Sequence, residues 1–265
     1  MTFKKLHTPS RLAWTFWPEK EFTDVYENIY VRAFTEDWFK IVLAVAGELE
    51  GHSLLLDIGC GEGHTTKQIL DRIHTPHTCD LLEPHKDALM SAQSFLQKEN
   101  NVGDTHAVTF KDFEPRKTYD AVFTSHTNYY WSEDEKGYTV LLEKFLGLVH
   151  KGGKALMLTL LAESDQYKVL LKDLYKQFVR AEYFEDFCRA RGYIVEVKNF
   201  SMRLYVGDLF TTRGLFDVKN FYRFLHNVQD EPSDELVRNF LEKIREIEKN
   251  GYLDFKGRLI IATNS

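Results

Sequence analysis

The sequence predicts a doubly wound α/β fold, a mostly parallel sheet with helices on both faces. Three observations predict it. The run Leu54-Leu55-Leu56-Asp57-Ile58 is apolar without alternation, as a strand covered on both faces requires. It leads into Gly59-Cys60-Gly61-Glu62-Gly63 and then into His64–Leu70, a turn followed by a helix. From there, strand-like and helical patterns alternate through most of residues 50–200. In such sheets ligands bind beyond the carboxyl ends of the strands, so the glycine turn marks a crevice for a small molecule.

Composition narrows the class. The chain has 265 residues, ample for a core, with 43% hydrophobic and 28% charged residues. The net charge of -6 and the lack of a basic stripe argue against a nucleic-acid partner. Cys60, Cys79 and Cys188 have no spacing that suggests disulfides or zinc, and no ligand cluster for another metal stands out. Neither a signal peptide nor a membrane-spanning run is seen, which makes the cytoplasm the expected compartment. Aromatic residues are plentiful at 14%, many of them in two clusters.

The elements follow in order. Residues 1 to about 20 are irregular, broken by Pro9 and Pro18. A helix pair is expected from about Glu21 to Glu48, where Phe22, Tyr26, Tyr30, Phe34 and Trp38 recur every four residues. That face packs on the sheet, and part of it serves as a lid, with Tyr30 toward substrate. The first strand covers Ser53–Ile58, and its helix ends near Ile73. A second strand from Thr78 stops at Glu83-Pro84. The next helix carries Leu89, Ala92, Phe95 and Leu96 on one face. A third strand is expected at His106–Phe110, followed by Lys111-Asp112-Phe113. A fourth covers Tyr119–His126. An apolar helix over Val140–Val149 is closed by Gly152-Gly153, and a fifth strand covers Lys154–Leu161. Helices at 166–178 and 181–190, a strand at 193–197, a helix at 216–224, a helix from Ser233 and a last strand at Arg258–Thr263 complete the chain.

Particular residues suggest chemistry. Gly59-x-Gly61-x-Gly63 lacks the dinucleotide spacing, and no Gly-Lys-Ser/Thr makes it a phosphate loop. Asp57, ahead of the turn, repels a pyrophosphate and welcomes an ammonium group. Glu83, 24 residues past Gly59, can accept both hydroxyls of a ribose. His126 can accept a proton near neutral pH. Tyr129, Tyr130 and Trp131 either pack as core or ring a cationic methyl group.

Asp57-x-Gly59-x-Gly61-x-Gly63 after a strand resembles motif I of the class I S-adenosylmethionine-dependent methyltransferases. The resemblance implies a Rossmann-like seven-stranded sheet whose last strand is antiparallel. It implies that the turn, with Asp57, Gly59, Gly61 and Gly63, holds the methionine end of S-adenosylmethionine. Glu83-Pro84 becomes the ribose clamp, Asp112 and Phe113 the adenine side, and Ser125 and His126 the rim beside the reacting methyl. S-adenosylhomocysteine is the implied product.

Glu83-Pro84, Tyr129-Tyr130 and the long helical stretch before the last strand look like the histamine N-methyltransferase family, which matches Glu36 to an amine-binding glutamate. The expected activity is therefore methyl transfer to a small molecule, an amine nitrogen first, with Glu36 and His126 holding or deprotonating it. The alternatives are O-methylation of a carboxylate or phenol, and a catalytically silent cofactor-binding regulator. One domain spans 1–265: a helical cap (1–50), a cofactor-binding core (51–200), a helical substrate cap (201–257) and the last strand (258–265). A monomer or homodimer is expected.

Overall fold

A computed structural model describes residues 35–97, 102–132, 134–165, 177–207, 218–219, 222 and 232–265. Among these, six α-helices flank one seven-stranded sheet. In chain order they are α1 (Thr35–Leu49), β1 (Leu54–Ile58), α2 (His64–Leu70), β2 (Thr78–Leu82), α3 (Lys86–Leu96), β3 (Val102–His106), β4 (Tyr119–Ser125), α4 (Glu135–Gly147), β5 (Val149–Leu160), α5 (Ala181–Ala190), β6 (Ile194–Tyr205), α6 (Asp234–Ile247) and β7 (Tyr252–Thr263).

The strand order is β3-β2-β1-β4-β5-β7-β6. Strands β1 to β5 pair in parallel, and β7 runs antiparallel between β5 and β6. The order reverses beside β1, so β2 and β4 flank it and a crevice opens at their carboxyl ends. Leu55, Leu56 and Ile58 are buried, which accounts for the unbroken apolar run. Helix α1 buries Ile41, Val42, Val45, Ala46 and Leu49. The larger of these contribute about 1.5–3 kcal/mol each by leaving water, which fastens the helix to the core.

Several boundaries depart from the sequence expectation. The third strand is Val102–His106, not His106–Phe110. Its polar run has a local cause: Gly103 leaves room for the Asp80 carboxylate, which a Cβ would meet at 2.2 Å, and the Asp104 N–H donates to Asp80 Oδ1 at 2.9 Å. Helix α4 starts at Glu135, capped by Asp134, whose Oδ1 accepts the Gly137 N–H at 2.6 Å. Gly152, expected to close that helix, instead lies within β5, where the Asn264 carbonyl accepts its N–H at 2.6 Å.

The stretch expected as a helical cap is strand at both ends. Strand β6 runs on to Tyr205, and β7 begins at Tyr252, with Leu253, Phe255 and Leu259 buried in alternation. Helix α6 matches expectation, with Ser233 Oγ accepting the Leu236 N–H at 3.3 Å. Most of the expected 166–178 and 216–224 helices, and everything before Thr35, lie outside the described residues.

Candidate active site

The glycine turn after β1 is fixed by its neighbours. The Leu82 carbonyl accepts the Gly59 N–H at 2.7 Å, and Gly59 has a φ of 82°. A Cβ there would meet the Thr127 side chain at 2.4 Å, so only glycine lets the turn pass this close to the β4 rim. Thr127 and Thr124 both donate to the Ile58 carbonyl, at 3.1 and 3.0 Å, and tie the tips of β1 and β4 together. A Cβ on Gly61 would meet nothing within 4 Å. The middle of the turn therefore presents bare backbone to open space.

Glu83 lies against this turn. Its Oε2 accepts the Gly61 N–H at 3.1 Å and its Oε1 the His85 N–H at 3.0 Å, with the residue 1% exposed. Burial raises its pKa, and the two backbone N–H bonds only partly oppose that. Each oxygen keeps a further lone pair for a hydroxyl donor. Pro84 follows directly and, with no N–H of its own, leaves the strand at its tip.

Asp57 has a different surrounding from the one its position suggests. It is buried in β1, and Oδ2 accepts the Thr66 hydroxyl of α2 at 2.5 Å. Burial raises its pKa to about 7, opposed by the Thr66 bond and reinforced by the nearby Glu83 charge. Its observed partner is thus inside the protein, where it pins β1 to α2.

On the other side of the crevice stands the β4 rim. An apolar cavity there is lined by Trp38, Ile41, Val42 and Val45 of α1, Thr65 and Ile69 of α2, Phe123–Ser125 of β4, Leu156 and Leu158 of β5, and Leu259 of β7. Ser125 is thus a wall residue. His126 follows with φ 55°, a left-handed conformation uncommon outside glycine, and its N–H donates to the Leu158 carbonyl at 2.9 Å. Its Nδ1 lies 3.0 Å from Tyr129 Oη, and the Trp38 ring is 6.5 Å away. Burial alone pushes the imidazole pKa down to about 4, so the ring is uncharged at pH 7.

The aromatic run divides. Trp131 is core: its ring lies 4.5 Å from Phe110 and 5.3 Å from Phe145, and it is 8% exposed. Of the two alternatives for this residue, core or substrate wall, this packing is that of the core. Tyr129 is also buried, and its hydroxyl accepts the Leu160 N–H at 3.1 Å. Tyr130 is half-buried, edge-on to Tyr129 at 6.2 Å. Asp112 is exposed and accepts the Thr109 hydroxyl at 2.7 Å, which holds a turn. Phe113 is buried against the His106 ring at 4.8 Å, at the tip of β3. Tyr30 lies outside the described residues, and so does the side chain of Glu36 in the first turn of α1.

Asp80, which sequence left unexplained, is a structural anchor. It accepts the Tyr119 hydroxyl at 2.8 Å and pairs with Lys117 at 2.8 Å. Asp80, Asp104 and His106 bring ligand-type atoms within 4.8 Å of one another, and the Lys117 ammonium supplies the positive charge there. Sequence reasoning missed Thr124, Thr127 and Thr65. Small hydroxyl residues at a strand tip carry no spacing signal that singles them out.

A seven-stranded sheet in this order, with a glycine turn at the reversal point and a buried carboxylate at the tip of the next strand, is a doubly wound α/β architecture with a ligand crevice at that point. Residues 55–153 match the family model described as a methyltransferase domain. That match runs from β1 into β5 and covers 99 of the 265 residues.

No curated protein matches the chain by sequence. Among solved structures, the YcgJ protein of Bacillus subtilis superposes with a TM-score of 0.57 at 15% identity, over 86% of this chain and 98% of that one. N-methyltransferase NodS of Bradyrhizobium japonicum, in complex with S-adenosylhomocysteine, gives 0.54 at 12% identity over 91% and 100%. The [4+2]-cyclase SpnF gives 0.54 at 15% identity over 85% and 81%. At these identities the likeness is one of fold. Among the described residues, no helix is long and apolar enough to cross a membrane.

Proposed function

We propose that the protein transfers a methyl group from S-adenosylmethionine to a nitrogen of a small amine. The observation that carries the cofactor half is the Glu83 carboxylate held against the bare backbone of Gly61. Glu83 is the ribose clamp, and Gly59, Gly61 and Gly63 form the cradle. Phe113 is the adenine-side residue, with Asp112 turned to its own loop. Bound there, the cofactor supplies a methyl already activated on a positive sulfur, ready for in-line displacement.

The residues of the chain then orient, desolvate and exclude water. Orientation alone contributes on the order of 7–11 kcal/mol. The β4 rim is walled by apolar side chains of α1 and β4, and such surroundings disfavour charge, so the acceptor is read as reacting as the neutral amine with its lone pair free. His126 is a neutral ring beside it, not a general base: a group whose conjugate acid titrates near 4 takes a proton poorly from an ammonium. Tyr130 and Trp38 offer aromatic faces to the cationic product, at about 0.5–2 kcal/mol each. Glu36 and Tyr30 remain the proposed amine contacts from the N-terminal cap. The fold likeness to NodS, titled an N-methyltransferase, supports the nitrogen reading.

The likeness to a cyclase supports a second reading, cofactor binding with other chemistry or none. Transfer of label from methyl-labelled S-adenosylmethionine to a panel of amines, carboxylates and phenols separates them. Label on amines is the expected result. Label only on oxygen acceptors would replace nitrogen by oxygen, and cofactor binding without transfer to any class would leave the second reading.

A further inference from the structure

The β4 rim holds one arrangement that the cofactor cradle does not use. Tyr129 is buried, and its hydroxyl stands between two groups from different strands. The Leu160 N–H of β5 donates to Oη at 3.1 Å, and His126 Nδ1 lies 3.0 Å away. A backbone N–H only donates, so it occupies the acceptor side of the phenol. The phenol's own proton is within reach of Nδ1. The same strand holds the histidine backbone, through the bond from His126 N–H to the Leu158 carbonyl at 2.9 Å.

We infer that Tyr129 is a positioning residue. Its hydroxyl donates to His126 Nδ1 and locks the ring in the tautomer that carries its proton on Nε2. The ring then offers an N–H donor on the edge turned away from Tyr129.

Two further observations support this. His126 adopts a left-handed backbone conformation, which is strained outside glycine and persists only where surroundings fix it. The ring also neighbours two aromatic rings, Trp38 at 6.5 Å and Tyr129 at 6.2 Å. Burial without a compensating charge keeps it neutral, so the tautomer decides what it can do. A ring with its proton on Nε2 cannot take a proton there. It instead binds a lone pair on the acceptor molecule, such as a hydroxyl, carbonyl or carboxylate oxygen. This consequence for substrate choice rests on the methyl-transfer reading, whereas the tautomer rests on the chain alone.

The test is a long-range proton–nitrogen correlation spectrum of the full chain labelled with ¹⁵N-histidine, at pH 7 without ligand. The chain has ten histidines, and the His126→Asn variant identifies the signal by its loss. In the wild type, Nδ1 should resonate as an unprotonated acceptor and Nε2 as protonated. Tyr129→Phe should turn that single tautomer into a mixture while near-ultraviolet circular dichroism stays native. A wild-type ring protonated on Nδ1 overturns the proposal. So does a single Nε2–H tautomer that survives in a folded Tyr129→Phe variant. If that variant does not fold, the wild-type spectrum decides alone. The methyl-transfer reading fails on the label assay and this one on the ring nitrogens, so either can fail without the other.

Discussion

The two rims of the sheet treat charge in opposite ways. Where the strands begin, charges are held by partners. Asp120 at the start of β4 accepts bonds from the Ser53 N–H and hydroxyl and from the Leu54 N–H, at 2.8, 2.7 and 2.8 Å, with His150 at 2.7 Å. Burial alone would raise its pKa, but these bonds hold it well below the usual carboxylate range. Glu48 follows the same pattern: burial is outweighed by Lys198 and Lys154, at 2.6 and 2.9 Å. The His150 pKa is raised by its bond to Asp120.

Where the strands end, the same kinds of group are pushed toward neutrality. Glu83 and Asp57 are raised and His126 is lowered, in each case chiefly by burial. One rim is built for stability, and the other withholds partners that a ligand can supply. Perturbed groups gathered in a cleft are what functional sites show.

Three substitutions can break or sharpen that contrast. The largest effect is expected for Gly59→Ala. Its Cβ would meet Thr127 at 2.4 Å in a left-handed backbone, and strain and overpacking together should lower stability by about 2–4 kcal/mol in urea unfolding. A loss under about 1 kcal/mol would mean the turn is not pressed against the β4 rim. Next comes Asp120→Asn, at about 1–3 kcal/mol of stability with S-adenosylhomocysteine affinity unchanged. The wild-type contribution is present above the ordinary carboxylate range and is lost as pH falls through the lowered value. A variant that loses affinity but not stability would place function at the wrong rim.

The effect least visible at a single pH is expected for Asp57→Asn, which keeps an acceptor for Thr66. The folded-state pKa of Asp57 is raised to about 7, so the native protein holds an extra proton below that value. Its contribution to stability therefore falls as pH rises from about 4 to about 7. Asparagine has no such cost, so the variant should gain relative to wild type across that window. Urea unfolding at pH 5 and pH 8 reads the difference. A variant that instead loses ground with rising pH would show that the ionised carboxylate is well solvated or paired.

The glycine-turn half of the crevice was legible in the sequence because backbone demands write themselves as residue types. A left-handed turn pressed against another strand requires glycine, and a strand stopped by Glu83-Pro84 displays its carboxylate. The other half was not. Tyr129 and Trp131 belong to one aromatic run by sequence, and only packing makes the second a core filler and the first a hydrogen-bond partner of His126. The protonation state of His126 depends on what buries it, which no spacing encodes. Strand β3 was misplaced because Val102-Gly103-Asp104-Thr105-His106 lacks an apolar pattern, its polarity answered by Asp80 on the next strand. The start of β7 was hidden by Asp254 and Lys256, which alternate with its buried residues and read as loop.

The central claim is that the strand-end rim holds S-adenosylmethionine through the glycine turn and Glu83. Calorimetric titration of S-adenosylhomocysteine into wild type and Glu83→Ala, with NAD as control, tests it most directly. The account predicts binding to wild type, about 10–100-fold weaker binding to the variant as expected for lost bonds to a carboxylate, and none of NAD. Equal affinity in the two proteins, or no binding to wild type, would contradict it.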